Sequence, residues 1–185
     1  YTGPYTLTEQ QSLLVWAGNA FKSGLISLEE FAWFYTIYST ARRPNQIRAL
    51  RAVDLTVKKG VDGLKYELEI PRAKQRGGEF RGESRLIYIS EDMYLVLKNL
   101  TEKNKQAARK YIPKLTEEDL KELPIFFNIN RLKVVNSLEL FREKLKTTPD
   151  YLHASIKDVY TLTTSLSRKC DAISERTSDY IHFTP

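Results

Sequence analysis

The chain has 185 residues, 42% of them hydrophobic and 28% charged; that balance excludes a disordered polymer and leaves room for one domain with a real core, or one domain and a fragment of another. A net charge of +6 weakly favours a polyanionic partner. No apolar run approaches the roughly 20 residues of a membrane helix. The single cysteine, Cys170, excludes an internal disulfide and fits a reducing compartment, and with only His153 and His182 beside it an ordinary zinc site is not expected.

In chain order, residues 1–5 carry Gly3 and Pro4 and read as an extended lead-in that, lacking an initiator methionine, begins in mid-protein. Thr8 with Gln11 is a capping-box pattern. Leu13, Leu14, Trp16, Ala17, Ala20 and Phe21 follow it at helical spacing, and Ser23-Gly24 stops the helix. Ser27 and Glu30 form a second capping box ahead of the stripe Phe31, Phe34, Tyr35 and Tyr38, expected as core. Arg42-Arg43-Pro44 then opens a third helix. Pro44 suits the first helical position, because its missing N–H would be unpaired there. Arg43 precedes the helix N-terminus, where free N–H groups attract anions, and its planar fork can grip a phosphate with two bonds. Arg42 and Arg43 also fit a plain surface pair at a helix junction. Ile47 and Leu50 give this helix an inward face, and Arg48 and Arg51 lie on its other side.

Val53-Asp54-Leu55 leaves the helix, and Lys58-Lys59-Gly60 with Asp62-Gly63 reads as a turn. Tyr66 to Ile70 alternates as a half-buried strand should, and Arg85 to Ile89 is a second strand. Between them lies a long hairpin, turned by Gly77-Gly78. Its basic tip sets Arg72, Lys74, Arg76, Arg81 and Arg85 against only Glu79 and Glu83. Such a tip is either a solvated hairpin kept soluble by charge or a finger on a phosphate backbone, and the residues leave both open. The DNA-contact candidates are Arg42, Arg48, Arg72, Arg76 and Arg81.

Ser90-Glu91-Asp92 begins a helix that runs to Lys110 and ends before Pro113. Thr116 to Leu120 reads as a short capped helix and Leu123 to Phe127 as an apolar stretch. Residues 128–135 are expected as a loop, 137–146 as a helix, and 155–173 as a last, Ser/Thr-rich helix. The fold class is α+β, mostly helical with a small antiparallel sheet or hairpin.

This order of two helices, an arginine before a third, and a hairpin with a lysine at its tip resembles the catalytic domain of the tyrosine recombinases, the phage-integrase family. Arg43-Pro44-Asn45-Gln46-Ile47 matches the family's first active-site box, with Leu50 and Asp54-Leu55 in the run that follows. Gln46 stands where the family usually has a glutamate or aspartate. Lys74, in Pro71-Arg72-Ala73-Lys74, matches the hairpin lysine. Phe183-Thr184-Pro185 resembles the approach to the family's second box.

The resemblance covers residues 7–185, most strongly 31–90. It implies that 1–185 is a partial catalytic domain of that fold. The core-binding domain would precede it, and the second His-x-x-Arg box and the nucleophilic tyrosine would follow. It implies site-specific recombination of double-stranded DNA through a 3′-phosphotyrosyl link, with no metal and no cofactor. Arg43 would clamp the scissile phosphate, and Lys74 would protonate the 5′-oxygen leaving group. The implied setting is cytoplasmic, with no membrane partner. The parent would assemble on DNA, whereas this stretch alone would be monomeric and unable to cleave. Two other readings stand beside it: an inactive DNA-binding remnant of a prophage integrase, which Gln46 permits, and an RNA- or protein-interaction domain, against which stands the lack of an aromatic stacking motif.

Overall fold

A computed structural model describes residues 4–72 and 80–183. The elements run α1 (Leu7–Lys22), α2 (Leu28–Thr40), α3 (Pro44–Arg48), a 3₁₀ turn (Ala52–Asp54), β1 (Leu55–Gly60), β2 (Gly63–Pro71), β3 (Ser84–Ile89), α4 (Glu91–Tyr111), α5 (Glu117–Lys121), α6 (Ile129–Val135), α7 (Leu138–Thr147) and α8 (Ile156–Lys169). The fold is α+β, mainly helical, with one antiparallel sheet of order β1-β2-β3. The chain forms two compact units, residues 1–41 with 157–185, and residues 42–156. No described helix is long and apolar enough to cross a membrane.

In the first unit, α1 starts two residues earlier than the Thr8–Gln11 pattern suggests. Thr6 is the cap: its Oγ1 accepts from the Glu9 N–H at 3.2 Å, and Glu9 Oε2 accepts from the Thr6 N–H at 2.9 Å. The earlier pair wins because Glu9 has partners beyond the helix. Arg176 donates to both its oxygens, at 3.0 and 2.7 Å, and the Ser174 hydroxyl donates as well. Those bonds, Arg176 first, hold the Glu9 pKa at about 2. The Ser27–Glu30 capping box forms as expected, and Glu30 also accepts from Ser165 Oγ at 2.9 Å and Lys169 Nζ at 3.2 Å, tying α2 to α8. Between the helices Trp16 meets Phe34 edge-on at 6.0 Å, and Trp33 Nε1 donates to Thr163 at 3.2 Å.

The last helix stops at Lys169, short of the expected residue 173. Thr161 and Thr163 turn their hydroxyls back onto the i−4 carbonyls, a bond that competes with the helix ladder. Beyond it an Ile173–Tyr180 bridge and an Ile181 N–H to Ala172 carbonyl bond of 2.8 Å close a turn that buries Ile181.

Helix α2 ends on Ala41 at φ 51°, in the left-handed region, its N–H donating to the Ile37 carbonyl. Alanine there is strained, so Ala41→Gly is expected to raise the unfolding free energy by about 0.5–1 kcal/mol once glycine's larger unfolded-state entropy is counted. Urea titration checks it; a loss of stability would contradict the strain.

In the second unit, β1 replaces the turn expected at 58–60. Gly60 pairs with Gly63 across the two-residue connection Val61-Asp62, and Gly63 sits at φ +112°. The strand is hard to read because it is an edge. Val57 is 43% exposed and Lys58 points to Glu67 at 3.1 Å, so the apolar alternation is faint. Strands β2 and β3 pair as expected, Ile70 opposite Arg85. Tyr66 packs on Tyr94 of α4 with ring centroids 4.8 Å apart. Residues 129–135 form α6 rather than a loop. Leu132 and Val135 lock it into a cluster with Ile112, Leu120, Phe127, Phe141 and Leu152, which outweighs its β-branched content and the missing side-chain cap at Asn128.

Candidate functional site

The site begins at the short helix α3. Pro44 stands at its first position and Arg43 at its N-cap, as the sequence implies. The helix has only five residues, so its dipole adds little, and the charge at this end comes from side chains. Gln46 fixes the geometry. Its Oε1 accepts from the Arg43 N–H at 3.2 Å, and its Nε2 reaches the Pro71 carbonyl at 3.5 Å, joining α3 to the end of β2.

Around this junction Arg42, Arg43, Gln46, Ile70, Arg72 and Arg85 line a cleft of about 330 Å³. Among the described residues, the lining holds four guanidiniums and no carboxylate. Arg43 and Arg85 are exposed, and among the described residues their guanidiniums meet no hydrogen-bond acceptor or carboxylate. Arg72 lies 3.7 Å from Glu83, a surface pair of two exposed side chains that is worth little. Three sequence candidates, Arg42, Arg43 and Arg72, therefore share one cleft. The fourth, Arg85, is absent from the candidate residues, although its signal was available: on β3 it opposes Ile70, two residues before Arg72, and so occupies the same face of the ladder as both.

Two other candidates are engaged inside the unit. Arg81 makes a bidentate pair with Asp54, both N–O distances 2.7 Å, and donates to the Ala49 carbonyl. Arg48 donates to Asn45 Oδ1 and the Ala154 carbonyl, each at 3.1 Å, and lies over the Phe80 ring at 5.1 Å. These bonds occupy three of the five guanidinium donors of Arg81 and two of the five of Arg48. Lys74 and Arg76 lie outside the described residues.

Arg81 and Phe80 belong to a network that anchors the returning end of the hairpin. Asp54 also accepts the Arg51 N–H at 2.7 Å, and Arg51 reaches Glu122 at 2.8 Å and the Pro149 carbonyl at 3.0 Å. Arg51 Nε donates to His153 Nε2 at 3.3 Å, and Phe80 stands edge-on to the His153 ring at 4.8 Å. An arginine cannot accept, so Nε2 is the acceptor and Nδ1 carries the proton, donated to the Arg48 carbonyl at 2.7 Å. His153 is 1% exposed; burial first, then Arg51, Arg81 and Arg48 around it, depress its pKa from 6.5 to about 3.

That depression sets a pH dependence. The unfolded chain takes up the His153 proton near 6.5 and the folded chain only near 3, so stability is full above 6.5 and falls as the pH drops toward 3. Between pH 7 and 5 the loss is about 2 kcal/mol. Glu9 and Asp119, both held at about 2 against unfolded values of 4.5 and 3.8, titrate below this window. Urea titrations at pH 7 and 5 check it, and His153→Gln, which keeps one donor and one acceptor, is expected to flatten the difference; equal stability of the native chain at both values would contradict it.

No family model, curated protein or solved structure matches the chain.

Proposed function

We propose that the chain carries part of the active site of a tyrosine-type DNA recombinase, with Arg43 as a clamp on the scissile phosphate and Lys74 as the acid on its leaving group. The observation that carries this reading is the cleft at α3, where Gln46 holds the Arg43 backbone N–H and the described residues of the lining include four arginines and no carboxylate. A phosphodiester entering it would meet guanidinium donors in place of water. Guanidiniums beside the phosphate stabilise the negative charge of a phosphoryl transition state. Gln46 also speaks for an intact site: a neutral amide performs the backbone bond that an acid at this position could make, without setting a negative charge beside the phosphate.

The reaction would proceed by attack of a tyrosine hydroxyl on the phosphorus. The P–O bond to the 5′-oxygen breaks as Lys74 supplies its proton, and the phosphotyrosyl link conserves the bond energy for rejoining. The tyrosine, a second arginine and a histidine are matched to none of the residues 1–185 by the resemblance. Double-stranded DNA is the partner on this reading, the setting is cytoplasmic, and the intact recombinase assembles on DNA.

The test uses a protein that joins this chain to those groups, incubated with a nicked duplex that traps the covalent intermediate. Lys74→Ala should lose cleavage on the ordinary substrate and recover it on one whose 5′ leaving atom is sulfur, which needs no proton. No adduct with the unsubstituted protein would overturn the recombinase reading. Loss without sulfur rescue would remove the acid role from Lys74.

A further inference from the structure

Arg85 breaks the pattern of the strand that carries it. On the sheet face that holds the buried Leu68 and Ile70, the cross-strand pairs are Tyr66 with Ile89, Leu68 with Ile87, and Ile70 with Arg85. Every member of this row except Arg85 is apolar or aromatic. An apolar residue would have continued it; the arginine ends it, exposed, in the cleft beside α3. The acids nearest in the chain do not compensate it. Glu83 lies 3.7 Å from Arg72, and Glu69, opposite Leu86, belongs to the other face. Among the described residues the Arg85 guanidinium meets no acceptor, and Arg43 in the same cleft is alike in this. The position of Arg85 is also set firmly. Its backbone pairs with Ile70, and just before β3 the Arg81 fork grips Asp54 with both N–O distances at 2.7 Å. Gln46 Nε2, at 3.5 Å from the Pro71 carbonyl, joins α3 to the neighbouring strand.

We infer that Arg85 is a phosphate-binding residue of this cleft, holding the backbone of the DNA strand from β3 while Arg43 holds it from α3. This rests on the DNA reading for its ligand. Arg85 is a binding residue and takes no part in the bond that breaks. A guanidinium on a backbone phosphate positions the strand and reads no base, so it acts equally on every sequence. Its planar fork can also give two bonds to one phosphate, which a lysine cannot reproduce.

The experiment titrates residues 1–185 with two short duplexes of unrelated sequence across a salt series. The unsubstituted chain is compared with Arg85→Gln, Arg85→Lys, Arg43→Gln and Lys103→Gln. Lys103 is an exposed lysine of α4 outside the cleft lining, so its variant removes one charge without touching the site. Circular dichroism confirms that each variant is folded, which these exposed positions should permit. Arg85→Gln should weaken both duplexes by about tenfold, the value of one hydrogen bond between charged groups. It should also lower the slope of log affinity against log salt by about one. Arg85→Lys should keep the slope and lose part of the affinity, and Lys103→Gln should leave the slope unchanged. Equal slope changes for Arg85→Gln and Lys103→Gln would overturn the inference, since that is the behaviour of a charge that merely keeps an edge strand soluble. An Arg85→Gln loss confined to one of the two sequences would overturn the backbone role. Duplex binding that needs Arg43 but not Arg85 would overturn the inference and leave the DNA reading standing. No duplex binding by the unsubstituted chain at low salt would remove the DNA reading and the inference with it.

Discussion

Asp54→Ala is expected to lower the unfolding free energy of the 42–156 unit by about 3–5 kcal/mol. Asp54 is 3% exposed and accepts three bonds, two from the Arg81 fork and one from the Arg51 N–H, all at 2.7 Å. Removing the carboxylate leaves the Arg81 guanidinium, whose side chain is 20% exposed, without its counter-charge. Arg51 is also desolvated and already feels Arg81 as a like charge, which the loss of Asp54 would leave less screened. The cost of a stranded charge exceeds the value of the pair. A double variant, Asp54→Ala with Arg81→Met, should therefore lose less than Asp54→Ala alone. Urea denaturation of the three proteins decides it. A loss below about 1 kcal/mol for Asp54→Ala would mean that water replaces the carboxylate and that the pair is not an anchor.

Arg43→Ala is expected to slow strand cleavage by about 10²–10³-fold, equivalent to about 2.7–4 kcal/mol of transition-state stabilisation, in a protein that supplies the nucleophile. Arg43 differs from Arg48 and Arg81 in that its guanidinium has no internal partner among the described residues, while Gln46 holds its backbone N–H at the mouth of the cleft. Its loss should fall on the cleavage rate more than on duplex affinity, because three arginines of the cleft remain to bind the backbone. Arg43→Lys should recover part of the rate, since a point charge replaces a two-pronged one. A decrease smaller than tenfold would take Arg43 out of the phosphate clamp.

How much of this was legible in the sequence depended on whether the determining contacts were local. The Ser27–Glu30 box, Pro44 at the first position of α3 and the Ser90 cap are set within four residues, and the chain displays them openly. The start of α1 was misplaced because two capping pairs overlap there, and the choice is made by Arg176, 167 positions away. Strand β1 and helix α6 were missed for related reasons. An edge strand buries too little for its alternation to show, and a seven-residue helix takes its stability from the cluster it enters. Of the candidate residues, Arg42, Arg43 and Arg72 could be read from charge and position beside α3 and the hairpin. The opposite fates of Arg81 and Arg85 could not be read from charge. Arg85 shares a face with Ile70 and so lines the cleft, whereas Arg81 finds Asp54 through tertiary structure. The role of His153 was equally hidden, since both of its partners, Arg48 and Arg51, lie about a hundred residues earlier.

The measurement that tests the central claim most directly is the binding of duplex DNA to residues 1–185 over a salt series, with Arg43→Ala beside the unsubstituted chain. The account predicts weak binding that ignores base sequence, falls steeply as salt rises, and loses about one unit of salt slope on Arg43→Ala. No binding at low salt, or binding indifferent to salt and to Arg43, would contradict the claim that this cleft is built for a DNA phosphate.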